Sequence, residues 1–293
     1  MELFRRFFPA SAQGFVFSAD YQEVPPSPAL APFVRCFWGS ECARIAGGAP
    51  SRVIPDACMD LVFEVNYTRN QVFGHFCALD DSPSLVACRR PGERIAQFGI
   101  RFYAWSAVCF SDSPLSDSRT EPDGLDAYFR PIVRALIPLL WESDSLSARS
   151  ERAERVLLRH LHPERLSPAI QNAIYEMATC TGRMDLSAFS QAACLGNRQL
   201  ERLFRAAMGA SPKLFSQLVR HQRVYQDLLF GRFNALDAVA RYGYADQSHL
   251  LRDFRRFHGV LPREIQKMSH LFYTNAGKTR YAVFEEGYYD ENL

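Results

Sequence analysis

Nowhere does this chain of 293 residues hold the 18 or more consecutive apolar residues that a membrane-crossing helix needs. Its best stretch, Ile132–Trp141, carries Arg134 and Pro138. Basic residues stand near the N-terminus at Arg5 and Arg6, but no apolar segment follows them, so no secretory signal is expected. The eight cysteines contain no Cys-x-x-Cys pair and no paired zinc spacing. That argues against a disulfide scaffold and points to reduced thiols in a cytoplasmic protein. No Walker loop, Gly-x-Ser-x-Gly, His-Glu-x-x-His or Gly-x-Gly-x-x-Gly occurs, so no enzyme, cofactor or metal is expected. Lysine is scarce, three of 34 basic residues, a bias of composition rather than a sign of function.

What is present is enough for two folded domains. Apolar residues make up 47% and charged residues 23%, the balance of a chain that can bury a core. The net charge of +2 hides an asymmetry. Residues 183–267 hold 14 basic and seven acidic side chains, a surplus of +7, and the remainder of the chain is −5. A basic C-terminal part behind an acidic N-terminal part suggests a polyanion-binding domain carried by a second domain.

The first half reads as strands. Short β-branched and aromatic runs, Gly14–Phe17, Phe33–Trp38, Arg52–Ile54, Leu61–Val65, Gln71–Phe76, Leu85–Cys88 and Gln97–Phe102, alternate with turn-formers such as Asp80-Asp81-Ser82-Pro83. This pattern predicts an antiparallel β barrel or sandwich, and a small barrel can hold one small ligand. Asp56, Cys58, Asp60, His75 and Arg101 could form a metal or acid–base site. The preferred reading is a turn at Pro55-Asp56, with Asp60 or Arg101 as a structural ion pair or ligand anchor. Phe63, Phe73, Phe102 and Trp105 are expected as the walls of a pocket beside them.

After Pro122 the period becomes helical. Leu125, Phe129, Ile132, Val133, Leu136 and Leu140 predict an amphipathic helix over Asp123–Trp141, despite Pro131 and Pro138. Such a helix could equally pair with a second copy of the chain. Ser147–Leu161 is the next, with Arg149, Arg152, Arg155 and Arg159 on its outer side. Pro168–Cys180 follows, capped by Ser167.

Residues 185–267 repeat internally. A shift of 50 places Leu200, Arg202, Phe204, Arg205, Gly209 and Pro212 on Leu250, Arg252, Phe254, Arg255, Gly259 and Pro262. Each copy reads as a short helix, a tight turn and a second helix, the helix-turn-helix plan. Leu186 and Phe189 anchor the first short helix, Cys194-Leu195-Gly196 turns, and Asn197–Met208 follows, closed by Gly209. Leu236 and Val239 anchor the second, Gly243-Tyr244 turns, and Gln247–His258 follows, closed by Gly259. A long helix from Pro212 to about Phe230 joins the copies.

Leu200-Glu-Arg-Leu-Phe204, Gly209-Ala-Ser-Pro-Lys213, Gly243-Tyr-Ala-Asp-Gln-Ser-His-Leu250, Arg252-Asp-Phe254 and Gly259-Val-Leu-Pro262 carry a resemblance. The C-terminal part resembles the DNA-binding domain of AraC/XylS-type bacterial transcription regulators. Ile54-Pro-Asp-Ala-Cys-Met-Asp-Leu61 and Phe98-Gly-Ile-Arg-Phe102 are similar to the sensor-type, cupin-like N-terminal domain of some of them. Two departures stand out. Cys194 occupies a turn position where the family usually has glycine. Val239 occupies the place, four before the turn glycine, where it usually has a small residue.

The resemblance implies an α+β chain: a β-rich, cupin-like sensor domain over 1–120, a helical linker or dimerisation region over 121–163, a double helix-turn-helix domain over 164–269, and a tail over 270–293 with a hairpin pattern at Asn275-Ala-Gly277-Lys. Double-stranded DNA is the implied partner. A small effector, RNA polymerase and a second copy are further partners of such regulators, and control by protein contacts alone is the other reading. With Leu200, Leu203 and Phe204 inward, Asn197, Arg198, Glu201, Arg202 and Arg205 face DNA. The resemblance points to Arg198, Glu201 and Arg202 as base readers. In the second unit Leu250, Phe254 and Phe257 are inward. Gln247, Ser248 and Arg252 are then expected to read bases, Arg255 and Arg256 to bind phosphate, and His249 to touch DNA or pack.

Overall fold

The computed structural model describes residues 21–41, 51–86, 92–119, 124–183, 185–229 and 235–264. The runs Gly14–Phe17 and the tail hairpin lie outside these. The strands come first: β1 (Gln22–Val24), β2 (Val34–Glu41), β3 (Ser51–Val53), β4 (Cys58–Asn66), β5 (Gln71–Cys77), β6 (Ser84–Val86) and β7 (Ile95–Tyr103). Five form an antiparallel sheet in the order β1-β2-β7-β4-β5, and β3 pairs with β6 in a separate ribbon. The expected antiparallel β domain is therefore present. Its two edges, β1 and β5, do not pair with each other among the described residues.

Alternation along β4 and β7 sorts the side chains onto two faces. Leu61 lies opposite Ile100 and Phe63 opposite Phe98, and all four are fully buried. Helix α1 (Gly124–Trp141) covers this apolar face. Its Phe129 ring lies 4.8 Å from Phe76 and stacks on Phe102. The helix is kinked at Phe129, whose φ is −131°. Pro131 follows closely, and a proline inside a helix lacks an N–H and crowds the preceding turn. Helix α2 (Leu146–Arg159) lies against β1 and β2. Arg149, expected on its outer side, is only 1% exposed. Its guanidinium donates to the Tyr67 hydroxyl and, at 2.9 Å, to the Ser143 carbonyl, and these acceptors compensate the burial of its charge.

The helical part continues with α3 (Pro168–Thr179), α4 (Leu186–Ala192), α5 (Asn197–Met208), α6 (Pro212–Leu229), α7 (Ala235–Arg241) and α8 (Gln247–His258). Ser167 caps α3 by accepting from the Ala169 N–H. Asp185 caps α4 by accepting from Ser187 and Ala188. Gly209 and Gly259 end α5 and α8 with φ of +64° and +70°, the left-handed stop that glycine adopts without strain.

Two apolar cores result. The larger runs from Leu30 through the sheet, α1, α2 and α3 into α5 and the first half of α6, and takes in Phe257 of α8. Trp105, just after β7, meets Phe215 of α6 edge-on at 6.3 Å. The smaller core holds Val224, Tyr225, Leu228, Ala238, Tyr242, Tyr244, Leu250 and Phe254, with Ile54 of the β domain packed against it. Leu236, expected to anchor α7, is instead 66% exposed. Ala238 and Tyr242 face the core, so the inward stripe of α7 is set differently from that of α4. No helix among the described residues is long and apolar enough to cross a membrane.

Candidate nucleic-acid interface

Both helix pairs turn through the same backbone corner. Cys194 sits at φ +52° and Gly243 at φ +67°. After each corner an N–H reaches back five residues: Leu195 to the Ser190 carbonyl at 2.8 Å, and Tyr244 to the Val239 carbonyl at 3.1 Å. Val239 thus stands where small, buried Ser190 stands in the first unit. The second unit has one more residue between corner and helix. That extra room lets Asp246 cap α8, accepting from the His249 N–H at 2.7 Å, whereas Gly196 begins α5 with no side-chain cap.

The faces of α5 follow its apolar spacing. Leu200, Phe204, Ala207 and Met208 are buried, and Asn197, Arg198, Glu201, Arg202 and Arg205 are exposed. Arg198, Arg202 and Arg205 enter no ion pair among the described residues. In α8, Leu250, Phe254 and Phe257 are buried, and Gln247, Ser248, Arg252 and Arg255 are exposed. Arg252 Nε leans back on the Ser248 carbonyl at 3.4 Å. His249 is half-buried. Its Nδ1 accepts from the Ala245 N–H at 3.5 Å and its ring meets Tyr244 edge-on, so here it packs against its own turn. Arg256 is also committed, its Nη2 donating to Asp81 of the β domain at 2.8 Å.

Residues that set the stance of these helices were less visible in the sequence. Arg220 of α6 pairs with Asp253 of α8 at 2.9 Å, and its guanidinium lies over the Tyr244 ring at 4.2 Å. His221 Nε2 and His258 Nδ1 stand 3.2 Å apart, both rings fully buried. Gln222 donates to the Pro55 carbonyl at 3.1 Å. The first unit is seated on the β domain as well. The Leu115 N–H donates to the Ala206 carbonyl at 2.8 Å, and a Cβ at Gly209 would strike Ser118 and the Leu115 carbonyl. A cleft of about 320 Å³ remains beside this seam, between Val108, Ser111–Pro114, Arg165 and Ile170 on one side and Leu203, Ala206 and Ala207 on the other. The sole signal for any of this was that Asp253 falls on the apolar side of α8.

The polar residues singled out in the β domain are brought together in part. Arg101 forks onto Asp60, with Nε at 3.1 Å from Oδ1 and Nη2 at 3.2 Å from Oδ2. The Trp38 indole N–H donates to the same carboxylate at 2.7 Å. That indole lies over Gly99, where any Cβ would collide with it. Asp56 stands 3.6 Å from Arg101 Nη1; burial raises its carboxyl above the usual range, against the pull of Arg101. Burial also raises the Cys58 thiol, which is neutral there. His75 lies across from Val62 on the exposed edge strand β5. Among the described residues no three His, Cys, Asp or Glu side chains are grouped to hold a metal ion. The expected aromatic walls do not line this cluster. Phe63, Phe102 and Trp105 are buried in the larger core, and Phe73 is 42% exposed. Phe63 and Phe102 lie an odd number of residues from Asp60 and Arg101 along their strands, so they point to the opposite face.

Residues 189–268 match a family model described as a helix-turn-helix domain, which spans α5 to α8. Residues 22–121 match one described as a domain of unknown function (DUF6597). Solved structures of ToxT from Vibrio cholerae are similar in part. An apo variant is 11% identical, with 79% of this chain and 97% of that one covered and a TM-score of 0.38. Wild-type ToxT bound to an unsaturated fatty acid is 10% identical, with 86% and 96% covered and a TM-score of 0.36. No curated protein matches the chain.

Proposed function

We propose that this DNA-binding transcription regulator, AraC-type in its helix-turn-helix domain, reads two successive major grooves, one with α5 and one with α8. The carrying observation is the matched pair of helices, each with Leu and Phe buried on one side and exposed arginines on the other. Helix α6 has 18 residues, about 27 Å at 1.5 Å each, and one turn of duplex is about 34 Å. Arg198, Glu201 and Arg202 on α5 and Gln247, Ser248 and Arg252 on α8 are the proposed base readers. Asn197, Arg205, Arg255 and Arg256 bind the backbone, and His249 supports its turn. The division into a β domain to 120, a linking region to 163 and a DNA-binding domain over 164–269 belongs to the same reading, as does the absence of any catalytic role.

The β domain is proposed as the sensor. In support, Arg101 Nη1 is buried without a hydrogen-bond acceptor among the described residues, beside Asp56, Asp60 and Trp38 on one face of the sheet. A small polar effector with an acceptor atom would satisfy it.

Hydroxyl-radical footprinting of the full chain tests the first part. Protection of roughly 15–20 base pairs over two grooves on one face of the duplex is expected. Protection confined to one groove would reject the two-groove reading. The full chain is needed because the first unit shares its core with the β domain.

A further inference from the structure

We propose that Asp81 is an intramolecular competitor of DNA for the second recognition helix. Arg256 of α8 is one of the arginines proposed above to hold a phosphate, and the inference rests on that reading. A carboxylate already occupies it: Asp81 Oδ2 lies 2.8 Å from Arg256 Nη2. A carboxylate and a phosphate offer a guanidinium the same oxyanion chemistry, so the two compete for the same cation.

Three features make this more than a passing surface pair. The loop that carries Asp81 is fixed in place. Leu79, two residues earlier, is buried in the larger core, and the Asp81 N–H donates to the Asp80 carboxylate at 2.6 Å. The carboxylate is also shared. Arg119 Nη2 holds its other oxygen at 2.9 Å, and Arg119 follows the Leu115–Ser118 segment that seats the end of α5. One carboxylate therefore ties the segment under the first recognition helix to the face of the second. Finally, the pair can open at low cost. The Arg256 and Asp81 side chains are 42% and 31% exposed, and pairs of this kind contribute little to stability. Arg256 also touches Gln217 Oε1 at 3.5 Å and lies over the Phe257 ring. Both contacts survive when Asp81 is lost, so the guanidinium stays at the surface of α8.

The test uses the full chain and a labelled duplex recovered by selection from random sequence. Kd is measured by fluorescence anisotropy for wild type, Asp81→Asn, Arg256→Gln and the double variant. Asp81→Asn is expected to tighten binding about two- to fivefold at moderate salt, Arg256→Gln to weaken it, and Asp81→Asn to change nothing once Arg256 is gone. No gain from Asp81→Asn overturns the proposal. An equal gain in both backgrounds also overturns it, because that is general relief of charge repulsion rather than release of Arg256. Thermal melts of the variants check that the fold is kept, and Asp81→Ser must reproduce the result of Asp81→Asn. If neither wild type nor Asp81→Asn enriches any duplex, the DNA-binding reading itself has failed, which the other outcomes leave intact.

Discussion

Cys194 and Gly243 occupy the same left-handed corner of the two helix pairs, at φ +52° and +67°. A residue with a Cβ pays about 1–2 kcal/mol there, and glycine does not. Cys194→Gly is therefore expected to stabilise the chain by about 0.5–1 kcal/mol after the added freedom of the unfolded state is counted. Gly243→Ala should destabilise it by about 1–2 kcal/mol; its new Cβ would also press on the Arg183 side chain. Denaturant midpoints of both variants decide it, and two changes of the same sign would contradict the shared corner.

His221 gives a pH prediction. Burial foremost, then His258 and Arg220, hold its imidazole well below the ordinary value. The folded form refuses a proton that the unfolded chain accepts near pH 6.5. Stability is then flat above about pH 7 and falls as pH drops through the unfolded value, by at most about 1.4 kcal/mol per pH unit for this group. His221→Leu should flatten that decline between about pH 7 and pH 5. Parallel curves for wild type and variant would remove His221 as its source.

Arg202→Ala and Arg255→Ala should differ in kind. Loss of a base contact costs about 1–3 kcal/mol and relaxes preference at one position, while loss of a phosphate contact weakens all sequences alike and lowers the salt slope by about one. Arg202 is expected to behave in the first way and Arg255 in the second. Selections on randomised duplexes at two salt concentrations separate them. A wild-type preference retained at every position in Arg202→Ala would remove it from the readers.

Arg101→Met should cost about 3–5 kcal/mol, because it strands Asp60, and Asp56 beside it, without their cation in a buried place. Asp60→Asn keeps an acceptor for Trp38 and should cost less. Chemical denaturation of both measures the difference; a loss in Arg101→Met under about 1 kcal/mol would mean that the cluster hydrates on mutation.

Helices α5 and α8 were legible to the residue, because their signals are local. Gly209 and Gly259 stop them, and Leu and Phe recur at three and four. The strands were legible as β-branched and aromatic runs, except β1, whose Gln22-Glu23-Val24 holds one such residue just before Pro25-Pro26. What could not be read depends on distance in the chain. Arg149 looks like its neighbours Arg152 and Arg155, and one of the two acceptors that meet its buried guanidinium is Tyr67, 82 residues earlier. Asp81 and Arg256 are 175 residues apart, and neither sits in a pattern that announces the other. Phe63 and Phe102 were a failure of a different kind. Their parity along the strand was available, and it already placed them away from Asp60 and Arg101.

The larger core passes without a break from Leu30 to Phe215, and this limits how such a regulator can be rebuilt. A chimera that grafts residues 164–269 onto a foreign sensor inherits Phe215 without Trp105, and Ala206 without the Leu115 N–H. Its first unit then starts with exposed apolar surface and a lost hydrogen bond, whatever the quality of the joining peptide. The second unit keeps most of its own core, and it gives up Ile54, the bond from Gln222, the Arg256–Asp81 pair and the place of Phe257 at the edge of the larger core. Exchange of parts is therefore expected to succeed at α7 and α8, and to demand a redesigned seam wherever α5 is moved.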